Sequence, residues 1–178
     1  MTPSDKINSL AHIHEAGHAV AALYYEVMFK SVDIIPGVIN DVPGHYLGGL
    51  KGCEMCIIEA PVSAGKEGYF KRDCIIYMAG IVCEAKYKTE KFNLSQYITV
   101  QDEMSDIKII KDLSKIAICD DEEVINSYLE YVAALTVYLF DSKPEIWEAC
   151  KAIATALQDK KSLSHRECLS IYNENVSR

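Results

Sequence analysis

The residues best suited to chemistry stand together near the amino terminus. In "HIHEAGHAVA" (12–21), His14, Glu15 and His18 have the HExxH spacing. On an α-helix, positions i and i+4 lie about 40° apart and about 6 Å along the axis, so both histidines project from one face. Two imidazoles so placed can reach one ion at about 2.0–2.1 Å. Glu15, rotated by about 100° from His14 on the same turn, can reach a metal-bound water without ligating the ion. Such a water has its pKa lowered towards ~7, and a neighbouring carboxylate can take its proton as it attacks a carbonyl. Ala16 and Gly17 are small, which lets another element pack closely against this turn. The motif holds two ligands and a base, and needs a third protein ligand from elsewhere.

An HExxHxxGxxH pattern would place that ligand at position 24, which is Tyr24. His12 stands two residues before His14, on another helical face, and reads as a surface or orienting residue. His45, in a glycine-rich segment, and His165, near the carboxy terminus, read as ordinary histidines. Two acids on downstream helical segments are better candidates: Glu84 in "AGIVCEAKY" and Asp106 in "EMSDIKIIKDL". A carboxylate from either would complete a tetrahedral site with water in the fourth position. Spacing alone does not choose between them. Asp102 and Glu103 read as solvated charges.

The elements that must position these groups are mostly helices. Residues 7–29 are apolar and free of proline, with Ser4 or Asp5 as a cap, and predict a helix. "SVDIIPG" (31–37) is a β-branched run stopped by Pro36 and Gly37, which predicts a strand. Within the Gly- and Pro-rich stretch 39–55, "HYLGGL" is the best candidate for a second strand pairing with the first. Residues 72–88 carry Ile75, Met78, Ala79 and Val82 at helical spacing, and 103–118 carry Met104, Ile107 and Ile110. A connector over 93–102 joins them. Helices are expected over 120–142, which opens on acids, from Pro144 to about Gln158, and over 163–174 with Ser164 as cap. The fold class is mainly α, with a small β-sheet inserted after the first helix.

Bulk properties bound the rest. The 178 residues suffice for one domain, taken as 1–178, and 49% hydrophobic with 25% charged residues fits a folded chain. A formal net charge of −8 disfavours nucleic acid as a partner. The amino terminus lacks the pattern of a signal peptide. The longest apolar run, "YVAALTVYLF" (131–140), is half the ~20 residues that span a bilayer, so membrane insertion is not expected. Seven cysteines without a repeating frame suit a reducing cytoplasm. Cys53 and Cys56 have CxxC spacing, but no second CxxC completes a four-thiolate zinc site.

"HEAGHAVAAL" resembles the active-site helix of the FtsH-type zinc metallopeptidases, and the similarity continues in order. "VDIIPG" then "YLGGL" is similar to the family's strand and glycine-rich segment. "MAGIVCEAKY" is similar to its second conserved helix, which carries a glycine and a glutamate. "MSDIKIIKDL" is similar to the segment where an aspartate supplies the third zinc ligand, and "ALQDKKSLSHREC" to its carboxy-terminal helix-turn-helix. The resemblance implies Zn2+ on His14, His18 and Asp106, with Glu15 as general base and Glu84 orienting a histidine ligand. It implies an edge strand containing Tyr46, Leu47, Gly48, Gly49 and Leu50 that holds an extended peptide by strand addition. The implied activity is metalloendopeptidase cleavage of peptides or unfolded polypeptides. The family's membrane helices and ATPase module have no counterpart in this sequence, so a stand-alone domain is expected, with a separate ATPase as a possible partner. A non-catalytic adaptor that binds zinc and a partner protein is the alternative. The residue before the aspartate is Ser105 where the family commonly has asparagine. The family's acid pair after the conserved glycine is reduced to Glu84, with Ala85 in the second place.

Overall fold

Fourteen residues whose only formal charge is Glu15 form helix α1 (Ala11–Tyr24). Small side chains at Ala16, Gly17, Ala19, Ala21 and Ala22 leave it apolar around its circumference, the pattern of a helix with neighbours on several sides. In the computed structural model, from His12 to Leu23 every residue except His14 is buried. The structure describes residues 10–34, 36–39, 42–46, 49–53, 67–98 and 105–176. The helix expected over 7–29 begins after Leu10 and ends before Tyr25; residues 7–9 and the caps expected at Ser4 or Asp5 lie outside the described residues. The helix stops in a Schellman motif: Val27 N–H donates to the Ala22 carbonyl at 2.8 Å and Glu26 N–H to that of Leu23 at 3.1 Å. Glu26 takes the left-handed conformation this turn requires, φ 57°.

The strand expected over 31–37 divides in two, β1 (Ser31–Asp33) and β2 (Pro36–Ile39). β2 pairs with β3 (Val42–Tyr46), and β1 pairs antiparallel with β4 (Gly49–Lys51), setting Val32 opposite Leu50. The pairing expected between "HYLGGL" and 31–37 is made in two places, by Gly49 and Leu50 with β1 and by Tyr46 with Pro36 of β2. The opposite edge of β1 takes β5 (Ser162–Ser164), giving the order β4-β1-β5. This corrects the helix expected from residue 163. Leu163 is 1% exposed and faces Val32, and the left-handed turn at Lys161, φ 65°, directs the chain onto the sheet. Helix α7 (His165–Val176) starts only after it. Ser164 does cap that helix. Its Oγ accepts from Glu167 N–H at 3.3 Å, while the Glu167 carboxylate accepts from Ser164 N–H at 3.0 Å, a reciprocal capping box.

Between the sheet and α7 run α2 (Glu67–Tyr87), α3 (Ser95–Ile98), α4 (Asp106–Ala117), α5 (Glu122–Ser142) and α6 (Pro144–Lys160). The segment expected as a pure connector contains the short helix α3. The chain is mainly helical with a small antiparallel sheet. Asp121 caps α5 by accepting from Glu123 N–H at 2.9 Å, and Pro144 opens α6 where no amide hydrogen is needed. α1 packs against α2, α6 and α7, and α2 in turn against α4 and α5. The α1–α2 crossing is close because Gly17 has no side chain: a Cβ there would lie 2.7 Å from the Ala79 carbonyl oxygen and 2.9 Å from Cys83 Sγ. Among the described residues no helix is long and apolar enough to cross a membrane.

Candidate metal centre

The helical spacing of His14 and His18 does what it predicts: both imidazoles leave α1 on one side, ring centroids 4.7 Å apart. Each ring is then held through Nδ1 by α2. His14 Nδ1–H donates to Glu84 Oε1 at 2.7 Å, and His18 Nδ1–H donates to the Ile76 carbonyl at 2.7 Å. A carbonyl oxygen only accepts, so His18 carries a proton on Nδ1, and in the neutral ring the lone pair is on Nε2. The carboxylate of Glu84 favours the same tautomer in His14. Both Nε2 atoms therefore face the space beyond the helix pair.

Asp106 enters that space from α4. It is the first residue of the helix, and Ser105 before it is the N-cap, its Oγ accepting from Lys108 N–H at 3.3 Å. Serine is among the preferred N-cap residues, and here it fixes the aspartate at the start of the helix. Asp106 Oδ2 lies 3.0 Å from His14 Nε2 and 3.5 Å from His18 Nε2. One ligand atom from each residue falls within 4.8 Å of the other two, the only such group among the described residues.

These separations suit a metal. Ligand atoms about 2.0–2.1 Å from a tetrahedral centre stand about 3.3 Å from one another. The floor of the space is bare for a physical reason: a Cβ on Gly80 of α2 would lie 2.6 Å from both Nε2 atoms. Beside the cluster, Glu15 Oε2 is buried without a hydrogen-bond partner. A buried carboxylate oxygen left unpaired is costly unless a water or ligand meets it. The His14 and Asp106 side chains remain 20% and 16% exposed, so the cluster opens towards solvent on one side.

The electrostatics follow from this packing. Burial disfavours protonation of His14, but hydrogen bonds to Asp106 and Glu84 outweigh it and raise its pKa well above the ordinary value. Burial acts the same way on His18, and the Asp106 charge outweighs it, raising the pKa. For Asp106, burial pushes upward, yet the two histidines hold the carboxyl well below the usual range. Glu15 is raised, chiefly by burial, against the pull of His18 and His14. A carboxylate raised in this way is a better proton acceptor than an exposed one. On α2, burial and the charge of Asp106 push the half-buried Tyr77 phenol up to about 12, which keeps it a hydrogen-bond donor.

The remaining candidates are placed elsewhere. His12 is buried rather than on the surface, and its Nε2 accepts from the Gln158 amide at 3.0 Å. His165 packs its ring edge-on against Phe29 at 4.6 Å. His45 and Tyr46 lie on β3, and Gly49 and Leu50 on β4, the outer strand beside β1. Leu47, Gly48, Cys56, Asp102 and Glu103 fall outside the described residues. Spacing left Glu84 and Asp106 as alternatives; the fold brings both to the histidines, on opposite sides of the rings. Two participants had little sequence signal. The Ile76 carbonyl is a backbone group and carries none, while Gly80 offered only a glycine inside a helical pattern. No protein-family model matches the chain, and no curated protein is significantly similar to it.

Proposed function

We propose that the chain is a zinc-dependent metalloendopeptidase of the FtsH type, acting on peptides or unfolded polypeptides. The observation that carries this reading is the convergence of His14 Nε2, His18 Nε2 and Asp106 Oδ2 beside the unpaired Glu15 Oε2. Two imidazoles and one carboxylate suit zinc, and three protein ligands leave a position open for chemistry. When bound, the ion would polarise the scissile carbonyl and acidify a water. Glu15 takes the proton of the attacking water on Oε2 and delivers it to the leaving amine nitrogen. Glu84 and the Ile76 carbonyl hold the two imidazoles in the tautomer that leaves Nε2 unprotonated. Burial of Glu15 keeps bulk water from competing for its proton. An extended substrate adds to the edge of β4 at Gly49 and Leu50 that is unpaired among the described residues, binding through main-chain groups with little side-chain preference. A separate ATPase would extend this activity to folded substrates.

The test combines elemental analysis with cleavage of a quenched fluorescent peptide. The wild-type protein is expected to carry one zinc and cleave, Asp106→Ala to carry none, and Glu15→Gln to keep zinc without cleaving. Unchanged cleavage by Glu15→Gln would overturn the mechanism, and a zinc-loaded wild type that cleaves nothing would favour the adaptor.

A further inference from the structure

Behind the metal helix lies a second site with a different chemistry. The carboxy-terminal end of α1, the start of α2 and the last turns of α5 enclose a cavity of about 190 Å3. Its floor is apolar, made by Ile75, Leu135 and Leu139. Its charged groups are Lys71 and Lys143, and no carboxylate lines it among the described residues. That composition is unusual for a chain with a formal net charge of −8. Most other described lysines are neutralised: Lys51, Lys86, Lys88, Lys108, Lys111, Lys115, Lys151 and Lys160 all face acids within 4.0 Å. Lys71 and Lys143 make no such pair among the described residues.

Lys143 is held in place without being neutralised. Its Nζ donates to the Tyr24 hydroxyl at 3.1 Å and sits 4.7 Å from the centre of that ring. Glu145 contributes a weaker field to it without pairing. The walls are tyrosines. Tyr24 and Tyr25 meet edge to face at 5.0 Å, and Tyr131 and Tyr138 leave 47% and 69% of their surfaces exposed. Aromatic rings with one wet and one apolar end are favoured where a ligand or partner is held. Two unneutralised cations at the mouth of an apolar, tyrosine-walled cavity specify an amphipathic anion. The volume lies below the ~300–1,000 Å3 of drug-sized sites, which limits the occupant to a small body.

We propose that this cavity binds a carboxylate carried on a small apolar or aromatic body, with Lys71 and Lys143 as its counter-charges. The carboxylate has two possible sources, a free aromatic acid or the carboxy-terminal residue of a peptide. The inference does not depend on the metal centre, because neither lysine touches it and the readout is binding alone.

The test uses the full chain, calorimetry and amide NMR, with four probes. These are 3-phenylpropionate, its primary amide, N-acetyl-alanyl-phenylalanine, and the same dipeptide with an amidated carboxy terminus. An acid is expected to bind and to shift the resonances of Tyr24, Ile75 and Tyr138, with the matching amide at least tenfold weaker. Binding of 3-phenylpropionate alone identifies a site for free acids; binding of the dipeptide acid identifies a site for chain ends. Lys71→Gln and Lys143→Gln should each weaken the acid at least tenfold. Lys143 also joins α5 to α6, so Lys71→Gln, whose side chain makes no ion pair among the described residues, decides if the other variant misfolds. An amide that binds as well as its acid, an unchanged affinity in Lys71→Gln, or no shift at those resonances up to about 10 mM acid, far weaker than ordinary specific recognition, would each overturn the proposal.

Discussion

Gly80→Ala isolates the logic of the metal centre in one methyl group. The added carbon would sit 2.6 Å from the Nε2 atoms of both His14 and His18, whereas ordinary contact begins at 3.4 Å, so the rings must give way by about 0.8 Å. They have little freedom to do so, because each is tied through Nδ1 to the same helix that carries the new methyl. Without metal, overpacking costs ~1–3 kcal/mol. Alanine in a helix interior recovers ~0.5–1 kcal/mol. The net loss is then at most about 2.5 kcal/mol, or a fall in Tm of up to about 10 °C at ~2–4 °C per kcal/mol. Metal binding should suffer more. Loss of a single orienting partner costs ~10–100-fold in metal affinity, and here both ligating nitrogens move, so a drop of at least about 100-fold is expected. At a fixed free zinc concentration that removes about 2.7 kcal/mol of metal-dependent stabilisation. Thermal unfolding with and without zinc, beside elemental analysis, separates the two effects. Gly68→Ala on the same helix is the control, since a Cβ there meets nothing within 4 Å. If Gly80→Ala binds zinc with wild-type affinity and stoichiometry, the placement of the ion against this glycine is wrong.

Other perturbations address neighbouring links. Glu15→Gln should lower peptide cleavage by ~10²–10⁴-fold while zinc content stays constant, as checked by single-turnover kinetics. Glu84→Gln keeps the shape but weakens the partner of His14 Nδ1, so zinc affinity should fall by ~10–100-fold in a competition titration with a chelator. Ser105→Ala removes the cap of α4 and should cost ~0.5–2 kcal/mol in denaturant unfolding, whereas Ser105→Asn should be close to neutral. Asp33 is a case for pH. Burial opposes its ionisation, but Lys51 at 2.7 Å and the Ser162 hydroxyl outweigh this and hold its pKa below the ordinary carboxylate value. Its folded pKa is depressed, so its stabilising effect is complete above the unfolded pKa and is lost as pH falls through the folded value. The stability difference between wild type and Asp33→Asn should therefore be constant above about pH 5 and shrink below about pH 4. A difference that persists unchanged into acid would remove Asp33 from that account.

Much of the helical architecture could be read from periodicity because the helices are long and their signals local. Pro144 at the start of α6, Asp121 before α5 and Ser164 before α7 mark boundaries through chemistry that depends on nearest neighbours. β5 was hidden because three residues are too few to show alternation, and its partner β1 lies far away in sequence. The site divides along the same line. Helical spacing is enough to relate His14 to His18. The arrival of Glu84 and Asp106 depends on how α2 packs on α1 and α4 on α2, which residue spacing does not encode. His12 illustrates the converse error: a polar residue off the ligand face looks exposed in a sequence, yet α1 is surrounded, and Gln158 of α6 satisfies it.

The late position of Asp106 has a consequence for how the protein is made. It lies about half the chain downstream of His14, on a helix that packs against α2. A growing polypeptide therefore exposes both imidazoles well before their carboxylate partner is synthesised. A chain stalled or nicked before that point has two of the three candidate ligands and lacks the carboxylate between them. Under the proposed function, tight metal loading and peptide cleavage would both wait until Asp106 has been added to the chain.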